Sequence, residues 1–137
     1  MGPGPDGKPR HLPNAQFYVP GSILSARIDT AAALTAGMTD PVQLFFDHSP
    51  AFTLGEGAAG AGVHRVAWFD TDHPLTSGWA WGQEHLKDAA QALDATVGKG
   101  HLYLFAPEIT FRAQPAGTFK FLFNGLYLGT GEEAKVP

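Results

Sequence analysis

Cysteine is absent from the 137 residues, which removes disulfides, thiolate metal ligation and cysteine nucleophiles together. Charge is sparse: Asp, Glu, Lys and Arg make up 16% of the chain, for a formal net charge of −4. A weakly acidic chain gives no electrostatic reason to expect nucleic acid or an anionic membrane as a partner. No apolar run approaches the roughly 18 residues that a membrane-spanning helix needs. The first residues lack a charged region followed by an apolar core, so no signal peptide is expected in this chain. Catalytic spacings are missing too. The sequence holds no His-Glu-x-x-His, no His-x-x-Glu and no Gly-x-Ser-x-Gly, the patterns that zinc hydrolases and serine hydrolases use.

What the chain does have is apolar mass. It is 44% hydrophobic with ten phenylalanines, sufficient for one compact domain with its own core. Residues 1–16 are rich in proline and glycine, Pro3, Pro5, Pro9 and Pro13 among them, and read as an extended linker. A single domain is expected over 17–129, with a frayed tail over 130–137.

Along the domain, Ser22 to Asp29 alternates with Leu24, Ala26 and Ile28 on one face, the pattern of a half-buried strand. Asp29 or Thr30 is placed to cap a short helix over 31–36, which Gly37 stops. Val42 to Phe46 and Val63 to Phe69 read as further strands, and Ala51 to Leu54 as an extended continuation. The glycine–alanine run 55–62 reads as a mobile loop. Gln83 to Lys87 has room for one helical turn. Residues 88–97 favour helix by propensity, yet they alternate and run into Gly98-Lys99-Gly100 at hairpin spacing, which selects a strand. A buried strand is expected from Gly100 to Ala106. Phe119, Leu122, Phe123 and Leu126 fall on one helical stripe, expected to close over the core, with Thr118 capping the start and Gly129 the end. Four or five mostly β elements with a C-terminal amphipathic helix on the sheet make this an α+β fold or a truncated α/β sheet.

The candidate site residues are few. Six histidines invite zinc, but the nearest match is His85-Leu86-Lys87-Asp88, a pairing that a surface turn explains as well. Asp47-His48-Ser49 has the letters of a triad, but triads are assembled from residues that converge in space rather than from neighbours. The plainer reading is a strand end where Asp47 and Ser49 bond local backbone before Pro50. Gly98-Lys99-Gly100 precedes a strand where a phosphate loop precedes a helix, so a hairpin turn accounts for it. Trp79 and Trp81 flank Ala80 and share a face in extended chain, suited to stacking on a sugar or a partner, although tryptophan is mostly buried by packing. Arg112 and Asn124 are polar residues set in apolar sequence. Arg112 has carboxylates such as Asp70 or Glu108 as its structural partners, and Asn124 has backbone.

Taken together, Gly98-Lys99-Gly100 to Phe105, Phe111-Arg112-Ala113-Gln114 and Gly117-Thr118-Phe119-Lys120-Phe121-Leu122-Phe123-Asn124 carry a resemblance. So do Pro20-Gly21-Ser22-Ile23-Leu24, Phe45-Phe46-Asp47-His48-Ser49-Pro50-Ala51-Phe52 and Leu75-Thr76-Ser77-Gly78-Trp79 upstream. Over about residues 17–129 the chain resembles the C-terminal accessory domain of a subset of bacterial zinc carboxypeptidase homologues. That domain is similar to the class I glutamine amidotransferase fold. The resemblance implies a partner, the peptidase domain or another subunit, with zinc held in the peptidase domain and none in this chain. It implies that the longer protein is a hydrolase, secreted or periplasmic. The family's zinc ligands and catalytic Glu have no counterparts in this sequence, and the amidotransferase cysteine has none either. The expectation is a non-catalytic accessory domain with Trp79, Trp81 and the Arg112 loop as contacts; a homo-oligomer is also open. The alternative is a glycan- or small-ligand-binding module using the two tryptophans near Arg112. A complete small enzyme built from His and Asp is a third option that no spacing supports.

Overall fold

The computed structural model describes residues 2–3, 9–10 and 12–130. Two short strands, β1 (Gly2–Pro3) and β2 (Pro9–Arg10), pair with each other apart from the main sheet. The main sheet is built on β3 (Pro20–Ile28). Leu24, Ala26 and Ile28 are buried on one side of it, while Ile23, Ser25 and Arg27 face outward, as a period of two dictates.

β3 pairs with β4 (Val42–Asp47) along its length, Leu24 opposite Leu44. On its other edge it meets β5 (Val63–Trp68) near its end and β6 (Leu75–Ser77) near its start. β5 passes the sheet on to β7 (Ala90–Val97), and β7 to β8 (Gly100–Phe105). The order is therefore β4-β3-β5-β7-β8 with β6 beside β3, every pairing antiparallel, and the sheet curls into a half-barrel. The fold is α+β. The truncated α/β option would need parallel strands joined by crossover helices, and the described sheet has none.

Inside the curl, Leu24, Leu44, Phe46, Val66 and Phe69 are 0–1% exposed. Burying side chains of this size contributes about 1.5–3 kcal/mol each. The short helix expected over 31–36 is a 3-10 turn, Ala33–Thr35, entered through the Ala31 N–H donating to Asp29 Oδ1 at 3.0 Å. A second 3-10 turn spans Gln83–Leu86. Of the extended stretch expected at 51–54, only the bridge between Phe52 and Ala90 forms. Residues 55–62 fold as consecutive turns, closed where the Val63 N–H reaches the Ala58 carbonyl at 2.9 Å.

The β7–β8 hairpin is as its glycines require. Val97 pairs with Gly100, leaving a two-residue loop whose first residue, Gly98, has φ +63°. That is the glycine-first pattern of a II′ turn. The strand that follows is not buried, contrary to expectation: Leu102 and Leu104 are 48% and 36% exposed. Tyr103 and Phe105 face α1, so Leu102 and Leu104, which alternate with them, stand on the opposite face of the sheet.

The closing helix α1 (Phe119–Thr130) is where the sequence pattern is most clearly corrected. Its inward residues are Phe121, which is 1% exposed and 5.6 Å ring to ring from Phe105, and then Asn124 and Gly125. Asn124 Nδ2 donates to the Leu34 and Ala36 carbonyls at 2.9 and 3.1 Å. A Cβ on Gly125 would lie 3.4 Å from the Tyr103 ring, so the glycine permits the close approach. Lys120 Nζ donates to the Gly37 carbonyl. These anchors set the rotation of the helix, and Leu122, Phe123 and Leu126 turn outward at 38%, 52% and 58% exposure. Thr118 does not cap the helix; its hydroxyl turns back toward the Ile109 and Pro115 carbonyls. Gly129 lies within the helix, and the tail expected beyond it falls outside the described residues after Thr130.

Candidate functional site

Gly21, at φ +76°, shifts the β3–β4 register between Pro20 and Ser22. Beyond the bulge Ser22 lies on the inner side with Leu24, by the alternation of the strand, and is 2% exposed. Ser22 Oγ donates to the Trp79 carbonyl at 2.6 Å and accepts the Trp79 N–H at 3.0 Å. Gly78, at φ +96°, lets the chains meet; a Cβ there would be 2.7 Å from Ser22 Oγ. With its backbone clamped in this way, Trp79 holds its ring edge-on to Tyr18 at 5.7 Å, and Tyr18 is edge-on to His48 at 5.2 Å.

Trp81 and Tyr18 exchange backbone hydrogen bonds at 2.9 Å, and Trp81 Nε1 donates to the Ala15 carbonyl at 2.8 Å. Residues 15–18 are thus strapped to the body, so the domain's contacts begin ahead of Phe17, within the stretch that reads as linker. Both tryptophans are 54% exposed. Packing in the core, the ordinary fate of tryptophan, does not apply to either. Their main chains are fixed while their ring faces remain in solvent.

Asp47 closes β4, and His48 takes φ +49° to turn the chain. Asp47 Oδ1 lies 2.6 Å from His48 Nδ1. An ionised carboxylate only accepts, so Nδ1 carries the hydrogen, and in the neutral ring Nε2 is the acceptor. Ser49 Oγ accepts the Asp47 backbone N–H at 3.2 Å. No bond joins Ser49 to His48 among the described residues, so the three neighbours do not form a nucleophile and base.

His48 and Ser49 border a cleft of about 440 Å³. Asn14, Thr53 and His85 add polar groups to it, and Phe17, Ala51 and Leu86 supply an apolar wall. No local pattern marks His48 and His85 as neighbours, because they border one cleft only once the turn at His48 and the 3-10 turn Gln83–Leu86 have formed. A second cleft of about 490 Å³ lies outside β3 and β4, between Pro41, Gln43 and the segment 114–117, with Lys120 at its rim.

Arg112 belongs to a different surface. It takes φ +46°, is exposed, and places its guanidinium 5.0 Å over Phe111, which stacks on Phe45 at 4.1 Å. No described contact joins Arg112 to Trp79 or Trp81, nor to a carboxylate. Asp70, one of its expected partners, pairs with Arg27 at 3.7 Å. Arg27 also holds Asp40 at 2.6 Å. Asn124 bonds backbone, as described above for α1, and tethers the helix. Among the described residues no group of three or more His, Cys, Asp or Glu is placed to hold a metal ion, and no helix is long and apolar enough to cross a membrane. Compared with protein-family models, curated proteins and solved structures, the chain has no significant match.

Proposed function

We propose that this chain is a non-catalytic accessory domain of a zinc carboxypeptidase-like protein, docked through α1 on the peptidase domain of the same polypeptide. The observation that carries the docking is the direction of the apolar stripe. Leu122 and Phe123 point away from the sheet while Phe121, Asn124 and Gly125 anchor the other side. An apolar stripe that a domain leaves outside its own core is the kind of surface a partner covers. The parentage rests on the resemblance carried by Phe45 to Phe52 and by Gly98 to Asn124. On this reading zinc belongs to the peptidase domain.

The test has two parts. The reading frame upstream of this chain is expected to encode a catalytic domain with His-x-x-Glu and a distant His; a frame without one overturns the parentage. In the protein made with that domain, the α1 amides are expected to exchange more slowly than in this chain alone. Equal exchange in the two proteins overturns the docking. Stoichiometric, tightly held zinc in this chain alone would sink the non-catalytic reading.

A further inference from the structure

We infer that the cleft bordered by His48 and His85, together with the Trp79–Tyr18 ring pair beside it, is a binding site for an uncharged saccharide. The inference is independent of the docking proposal, because none of these residues lies on α1.

The chemistry of the lining selects the ligand class. Among the described residues that border the cleft there is no Lys, Arg, Asp or Glu, so none of them sets a fixed charge against an ion. What the cleft offers is a set of neutral hydrogen-bonding groups: the Asn14 amide, the Ser49 and Thr53 hydroxyls, and the His48 and His85 imidazoles. Asp47 Oδ1 lies 2.6 Å from His48 Nδ1, which orients the ring, so that in its neutral form Nε2 accepts from a hydroxyl. Groups that both donate and accept, set round an apolar wall of Phe17 and Leu86, match a ligand that carries many hydroxyls on a C–H framework. A volume of about 440 Å³ falls within the range of small-molecule sites.

The rings extend this site outward. His48 borders the cleft and touches Tyr18, which touches Trp79. Trp79 is 54% exposed although its backbone is clamped at both N–H and carbonyl by Ser22. A rigid aromatic face presented to water is a low-entropy platform for stacking. Arg112, on its separate Phe111–Phe45 surface, has no part in the site.

The experiment is an amide and indole NMR titration of the purified chain with cellotetraose, chitotetraose and maltotetraose, with acetate and phosphate as charged comparators. At least one of the sugars is expected to give saturable shifts confined to the Trp79 indole and the amides of residues 48, 49, 53 and 85. Trp79→Ala and Thr53→Val, both at exposed positions, are expected to weaken that sugar about tenfold while the remaining resonances stay in place. The inference is overturned if no sugar shifts these signals at about 10 mM, the weakest range of specific binding. It is equally overturned if acetate or phosphate shifts them more than any sugar does, or if the sugar-induced shifts map to Arg112 or α1.

Discussion

His73 stands in the turn before β6 with its Nδ1 2.8 Å from Asp72 Oδ1, both side chains exposed. The hydrogen bond that His73 donates to Asp72, and then the Asp72 charge, raise the His73 pKa above the ordinary 6.5; the same bond lowers Asp72 below 3.8. A raised histidine stabilises the fold below its unfolded pKa and loses that contribution as pH rises through the folded value. A lowered carboxylate stabilises above its unfolded pKa and loses that contribution as pH falls through its folded value. The pair therefore supports the turn between the ordinary Asp and His values and fades on both sides. An NMR titration of the His73 ring is expected to give a midpoint above 6.5, and Asp72→Asn should return it to about 6.5. Backbone conformation gives a second test at this scale. Ala113 is held at φ +56°, a region costly for a residue with a Cβ, so Ala113→Gly is expected to stabilise by roughly 0.5–1 kcal/mol in urea denaturation.

At the scale of elements, pattern and structure agree where a segment has a single neighbour to satisfy. β3 shows its buried face in Leu24, Ala26 and Ile28, and the β7–β8 hairpin shows its turn in Gly98, because alternation and turn geometry are local. They part at α1. The stripe of Phe119, Leu122, Phe123 and Leu126 is genuine in the sequence, but it says only that one side of the helix is apolar, not what covers that side. The inward side was chosen by Asn124 reaching two carbonyls and Gly125 admitting Tyr103, contacts from residues some 90 positions earlier and from β8 that no window on the helix contains. The candidate site was hidden for the same reason. Trp79 and Trp81 stood out, but their companions Tyr18 and His48 come from the far side of the chain. The strap that unites them tests this account. A Cβ on Gly82 would sit 1.9 Å from the Gln16 carbonyl, at φ +72°. Gly82→Ala is expected to cost about 2–3 kcal/mol of stability and to loosen residues 15–18. Trp81 should then report a more exposed indole in fluorescence quenching. A change under half a unit would mean that the strap contributes little.

For the molecule as a whole, the division of α1 into an anchored side and an apolar outer side is what the docking proposal stands on. If the outer side were merely a loosely packed core, charging it would unfold the protein. If it is a surface held ready for a partner, charging it leaves the isolated fold intact. Phe121→Ala removes a ring buried in the core cluster and is expected to cost about 3–5 kcal/mol. Leu122→Glu with Phe123→Glu, one turn of the same helix but on its other side, is expected to change stability by less than about 1 kcal/mol. Thermal and urea unfolding of the two variants, side by side, measure the contrast. If the proposed peptidase domain belongs to the same polypeptide, the order should invert for docking in that longer protein. The paired glutamates are expected to abolish the protection of α1 from amide exchange, since two buried carboxylates facing an apolar partner surface would lack counter-charges. If the paired variant instead unfolds the isolated domain as severely as Phe121→Ala does, the stripe belongs to the core after all, and the docking proposal fails with it.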